Sequence, residues 1–96
     1  MAVVMVLPDA LEQLDELPDR IVARVEGIFE RLRQWPDVSG AKPLRGDLVG
    51  RWRIRTGDYR VQFYIVRGGP DEGDQTAELH TVVVEKIGHR DGFYDE

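Results

Sequence analysis

The chain opens on an unbroken apolar run, A-V-V-M-V-L at residues 2 to 7, rich in β-branched side chains and stopped by Pro8. That pattern predicts a strand inside the sheet with both faces covered. From Asp9 the spacing changes. Leu11, Leu14 and Leu17 fall on one side of a helix and Glu12, Asp15 and Glu16 on the other, with Asp9 placed to cap it and Pro18 to end it. Starting near Asp19, the apolar positions Ile21, Val22, Val25, Ile28, Phe29 and Leu32 follow a helical period, the clearest amphipathic pattern in the chain. The tight corner between the two segments predicts an antiparallel helix pair packed on a sheet. Trp35-Pro36 ends the second helix, and Pro36, Gly40, Pro43, Gly46 and Gly50 punctuate a long loop over residues 36 to 50.

From Arg51 to Val66 the period becomes two: R-W-R-I-R-T-G-D-Y-R-V-Q-F-Y-I-V reads as a hairpin with a tight turn at Gly57-Asp58. A two-residue turn sets Thr56 opposite Tyr59, Arg55 opposite Arg60, Ile54 opposite Val61, Arg53 opposite Gln62 and Trp52 opposite Phe63. One face then carries Trp52, Ile54, Tyr59, Val61 and Phe63. The other carries Arg51, Arg53, Arg55, Arg60, Gln62 and Tyr64. Next comes G-G-P-D-E-G-D-Q at 68 to 75, an acidic connection whose Asp71, Glu72 and Asp74 match no EF-hand spacing and read as a solvated hairpin tip. Residues 77 to 87 predict the last strand, central in the sheet because Thr81 to Val84 lacks polar alternation. The chain leaves the sheet at Gly88 and continues as H-R-D-G-F-Y-D-E. The order β-α-α-β-β-β gives an α+β domain, two antiparallel helices packed on one face of a mostly antiparallel twisted sheet.

Ninety-six residues suit a single domain spanning 1 to 96, and the lack of cysteine removes disulfides and thiolate metal ligation. The stretch Met1 to Leu7 is short and lacks a basic leader, which argues against a signal peptide or a membrane span and for a soluble cytoplasmic protein. Charge changes the picture more. The net charge is −5, yet residues 41 to 67 hold seven bases against two acids, while the flanking segments are acidic. A local anion site in the middle of the chain fits that layout better than a generally adhesive nucleic-acid binder.

The sequence holds no phosphate loop, dinucleotide fingerprint or nucleophile elbow, and its two histidines, His80 and His89, do not make a zinc site, so no metal or cofactor is expected. His80 reads as a packed strand residue. The remaining chemistry is cationic and aromatic. Arg53, Arg55 and Arg60 share one hairpin face, and the segment leaving the last strand delivers Arg90 and Tyr94. Like charges set opposite each other destabilise a sheet mildly, so Arg55 against Arg60 beside Arg53 suits an anion site better than scaffolding. Lys42, Arg45, Arg51 and His89 are candidate substrate-binding residues around this group. Guanidinium groups stay charged at physiological pH and grip phosphate in a planar, two-pronged way, which suits stabilising the charge that develops when a 2′-hydroxyl attacks its own phosphodiester. They are poor bases for the same reason, so a tyrosine or histidine must move the proton, or a partner must orient the substrate.

The motifs L-R-G (44 to 46), W-R-I-R-T-G-D-Y-R-V (52 to 61) and I-G-H-R-D-G-F-Y (87 to 94) resemble the RelE/ParE superfamily of toxins from type II toxin–antitoxin systems. In the RelE-like branch the resemblance implies a metal-independent endoribonuclease that cleaves mRNA on the ribosome through 2′-hydroxyl attack and is held inactive by a cognate antitoxin. It implies that Arg53 and Arg55 are the basic strand positions and Arg60 the phosphate-stabilising arginine. Arg90 matches the residue proposed as acid or charge stabiliser, and Tyr94 the terminal tyrosine proposed as base. Strand positions that are often lysine there are Arg53 and Arg55 here, and the two residues after Tyr94 leave no room for the C-terminal helix of some relatives. The ParE-like branch implies instead a DNA gyrase inhibitor without nuclease residues. A third expectation is a catalytically inactive relative that keeps only antitoxin pairing.

Overall fold

A computed structural model describes residues 2 to 68 and 79 to 93. The elements are β1 (Ala2–Val6), α1 (Pro8–Asp15), α2 (Asp19–Leu32), β2 (Lys42–Pro43), a 3-10 turn (Gly46–Leu48), β3 (Arg51–Thr56), β4 (Tyr59–Arg67) and β5 (His80–His89). They build one five-stranded sheet in the order β1-β5-β4-β3-β2, antiparallel except where β1 runs parallel to β5.

The helices cover one face. Ile21, Val25, Ile28 and Leu32 of α2, with Ala10 and Leu14 of α1, pack on Ile54, Val61, Phe63, Val82, Val84 and Ile87, all buried. Trp35 closes one side of this core with edge contacts to Trp52 and Phe63, ring centroids 4.9 and 5.7 Å apart. The hairpin pairs as its alternation predicts, Arg55 opposite Arg60 and Trp52 opposite Phe63. Gly57 supplies the positive φ of +59° that the two-residue turn needs.

Several expectations are corrected. β1 lies at the edge of the sheet, and its apolar run is not covered on both faces: Ala2, Val4 and Val6 meet the core while Val3 and Met5 are each 39% exposed. A β-branched run reads as a buried strand either way, because composition does not report which neighbours a strand finds. Asp9 does not cap α1. Leu7 is the cap and Pro8 the first helical residue, a position where a missing N–H costs nothing, so Asp9 falls inside the first turn. Leu11 consequently faces solvent, and Ala10 takes its place in the core. The 36 to 50 loop contains β2 and the 3-10 turn, and the last strand continues past Gly88 to His89. Residues 69 to 75 of the acidic connection lie outside the described residues.

One irregularity shapes the uncovered face. Gln62 pairs with Lys86 but Phe63 pairs with Val84, so Glu85 is an extra residue in β5. Such a bulge turns two consecutive side chains to the same side. Glu85 and Lys86 therefore both project from the face opposite the helices. Beyond the end of β1, the Ile87 N–H donates to Gln13 Oε1 of α1 at 2.7 Å, which satisfies a backbone group on the exposed edge of β5.

Candidate functional site

The register assembles cations in rows across the open face. Lys42 of β2, Arg53 of β3, Gln62 of β4 and Lys86 of β5 stand side by side, each opposite the next. The adjoining row toward the turn is Arg55, Arg60 and Gly88, and the row on the other side begins with Arg51 and Tyr64. Neighbouring strands are about 4.8 Å apart, so these side chains share one surface. The side chains of Lys42, Arg53 and Arg55 make no hydrogen bond or ion pair among the described residues. Their charges are available to a ligand.

Glu85, the one acid in the five strands, balances part of this face. Its carboxylate accepts from Arg51 Nε at 2.9 Å and Nη2 at 3.4 Å, and from Gln62 Nε2 at 2.9 Å. Arg51 also lies over the Tyr64 ring, 4.9 Å from its centroid. Arg51 is thus committed within the sheet, whereas Arg53 and Arg55 are not. Gln62 is 6% exposed and its Oε1 has no hydrogen-bond partner among the described residues.

The segment after β5 folds back over the same face. Phe93, 3% exposed, sits on Gly88, where an added Cβ would come within 3.3 Å of the ring. Lys86 donates its ammonium to the Phe93 carbonyl and lies 4.6 Å over the Phe93 ring. Position 88 has to be small for this contact. The chain is on the open face one residue before Tyr94, which itself lies outside the described residues.

The other candidates are placed apart from the rows. Arg90 is exposed at the hairpin tip, its N–H bonded to the Asp58 carbonyl at 2.7 Å and its Nε 3.8 Å from both Asp58 and Asp91. His89 projects from the helix side, opposite Tyr59, with ring centroids 5.2 Å apart, and its Nδ1 accepts from the Asp91 N–H at 3.1 Å. Strand alternation, not distance in sequence, separates His89 from Arg60. Arg45 is exposed just before the 3-10 turn, beyond the edge strand, and its side chain makes no hydrogen bond or ion pair among the described residues. Sequence reasoning missed Glu85 and Lys86. The adjacent polar pair E-K interrupting an apolar strand was the available signal, since a bulge is one way to place both outside the core.

Among the described residues no group of three or more His, Asp or Glu could hold a metal ion, and no helix is long and apolar enough to cross a membrane. The arrangement can bind an anion and hold charge on it, with Arg53, Arg55 and Arg60 as its centre.

Comparison with known proteins gives consistent results. The sequence profile of the ParE toxin of type II toxin–antitoxin systems matches residues 4 to 92. Toxin RelE of Mycobacterium tuberculosis is 39% identical over 77 residues, covering 79% of this chain and 73% of that protein. The crystal structure of the RelBE2 toxin–antitoxin complex from the same organism superposes with a TM-score of 0.69 at 31% identity, over 92% of this chain and 96% of that one. The RelB–RelE antitoxin–toxin complex from Methanococcus jannaschii shares the fold at a TM-score of 0.68 and 21% identity, over 95% of each chain. The isolated Escherichia coli RelE toxin does so at 0.64 and 18%, over 91% of this chain and 82% of that one.

Proposed function

The chain belongs to the RelE/ParE superfamily of type II toxin–antitoxin toxins, RelE-like in its relatives, and on that premise we propose that it is a ribosome-dependent mRNA endoribonuclease neutralised by a cognate antitoxin. The observation that carries this reading is the convergence of Arg53, Arg55 and Arg60 on one uncovered face, the first two without a carboxylate partner among the described residues. In the reaction, the 2′-oxygen of one ribose bonds to the adjacent phosphorus and the bond from phosphorus to the 5′-oxygen of the next nucleotide breaks. The products are a 2′,3′-cyclic phosphate and a free 5′-hydroxyl. The extra negative charge of the five-coordinate phosphorus falls to Arg60, flanked by Arg53 and Arg55. Arg90 adds charge and does not supply a proton, because a guanidinium stays charged at physiological pH. Tyr94, as its phenolate, is assigned the proton of the 2′-hydroxyl, and water protonates the departing 5′-oxygen, with the ribosome orienting the mRNA so that a weak base suffices. Lys42 extends the cationic row toward the mRNA backbone.

The experiment is cleavage of mRNA on programmed ribosomes beside free RNA, in a cytoplasmic extract and with purified components. Arg60→Ala is expected to abolish cleavage, by about 10²-fold or more if it is the main charge stabiliser, with an unchanged circular dichroism spectrum. Cleavage undiminished by that change would remove the proposed site. The profile that matches is the ParE one, which favours a second reading, a gyrase-directed inhibitor. Inhibition of DNA supercoiling by the purified protein, with translation untouched, would decide for it.

A further inference from the structure

On the helix side of the hairpin tip, a cavity of about 380 Å³ opens between the first turns of α2 and the β3–β4 turn, lined by Arg20, Ile21, Arg24, Gly57, Asp58 and Tyr59. It lies outside the cationic rows of the open face but shares the hairpin tip with them. Arg20 and Arg24, one helical turn apart, both face into it, and neither side chain makes an ion pair or hydrogen bond among the described residues. The Arg24 guanidinium lies over the turn itself, its Nη1 3.6 Å from where a Cβ on Gly57 would sit. Asp58 is the single acid in the lining, and its carboxylate is turned to Arg90 at 3.8 Å. The floor is the buried Ile21, and the wall is the half-buried Tyr59, whose other side meets His89 edge to face.

Two uncommitted guanidinium groups beside an aromatic ring form a small site for a phosphorylated aromatic ligand. The volume lies at the lower end of small-ligand pockets, roughly 300–1,000 Å³, which is room for one nucleotide. The hairpin tip that borders the cavity also ends the Arg55–Arg60 row, so a strand leaving that row needs only to round the tip to reach Arg24. We infer that this cavity binds one nucleotide of single-stranded RNA continuing from the open face, Arg20 and Arg24 gripping its phosphates and Tyr59 lying against its base. The choice of RNA rests on the ribonuclease reading proposed above.

The test uses the full chain and a short oligoribonucleotide carrying 2′-O-methyl groups, which cannot be cleaved by 2′-attack, with affinity followed by fluorescence anisotropy against salt. Replacing both arginines (Arg20→Ala with Arg24→Ala) is expected to flatten the slope of log affinity against log salt by about 0.7–1.4, the share of one to two phosphates. Arg20→Lys with Arg24→Lys is expected to keep the slope, which guards against a folding artefact. If the alanine pair leaves the slope unchanged while Arg53→Ala with Arg55→Ala flattens it, the cavity inference is overturned and the open-face assignment stands. The opposite pattern keeps the cavity and removes the open-face assignment. An alanine pair that loses affinity for an acidic peptide, with the RNA slope intact, assigns the cavity to a protein segment and overturns the inference. No RNA binding by the unaltered chain at low salt overturns both.

Discussion

Removing the carboxylate of Glu85 should weaken the fold while strengthening the pull of the open face on anions. Two groups depend on it. Gln62 donates its amide to Glu85 at 2.9 Å and is 6% exposed, and its Oε1 has no other partner among the described residues. In Glu85→Ala the whole amide would stay buried with neither end bonded, a cost of about 1–3 kcal/mol. The ion pair with Arg51 adds less. Its guanidinium side is 41% exposed and screened by solvent, so about 0.5–1 kcal/mol is its share. The sum, about 1.5–4 kcal/mol, is a large part of the 5–15 kcal/mol that holds a domain of this size together. Urea unfolding of Glu85→Ala should show a lower midpoint at unchanged m-value. Coupling measured by double-mutant cycles should be larger with Gln62→Ala than with Arg51→Ala. RNA affinity at low salt should rise, because Arg51 is released next to Arg53. A loss of stability below about 0.5 kcal/mol, the range of ordinary surface changes, would refute the reasoning.

Other changes separate stability from activity. Arg55→Glu, placed opposite Arg60, should stabilise the hairpin by about 0.2–1 kcal/mol in urea unfolding and still lose cleavage on programmed ribosomes. Gly88→Ala pushes a Cβ to 3.3 Å from the Phe93 ring and should cost about 1–2 kcal/mol, with hydrogen exchange quickened at residues 90 to 93 more than in the core strands. Gly57→Ala forces an alanine to a φ of +59°, at about 1–2 kcal/mol, and Gly57→Asn should restore part of the loss in the same urea assay.

The hairpin was legible to the residue. A two-residue turn with glycine at its first position leaves one register, and once that is set each Arg in R-W-R-I-R falls on the same side. The amphipathic period of α2 was equally plain, from Asp19 to Leu32. What escaped depends on contacts far apart in sequence. Nothing in A-V-V-M-V-L says that it pairs with only one neighbour, and Lys42-Pro43 is too short to carry an alternation, so its side on the sheet is fixed only by Arg53 opposite it. The cationic face was half visible. Its arginines follow from period two, whereas Lys86 joined them through an extra residue in β5 that shifts every position after it. The position of His89 shows the same shift from the other side: one bulge sets it opposite Tyr59 on the helix side rather than on the open face.

The parallel pairing of β1 with β5, Ala2 beside His80, also dictates when this protein can exist during its own synthesis. At roughly 5–20 residues per second, the opening strand waits about 4–16 s before the strand it needs is made. Until then the nascent chain has its hairpin but no Lys86 beside Gln62, and no aromatic lid over Gly88. The assembled cationic surface therefore forms only after β5 has been made, and any partner that reads it meets a folded target rather than an emerging one.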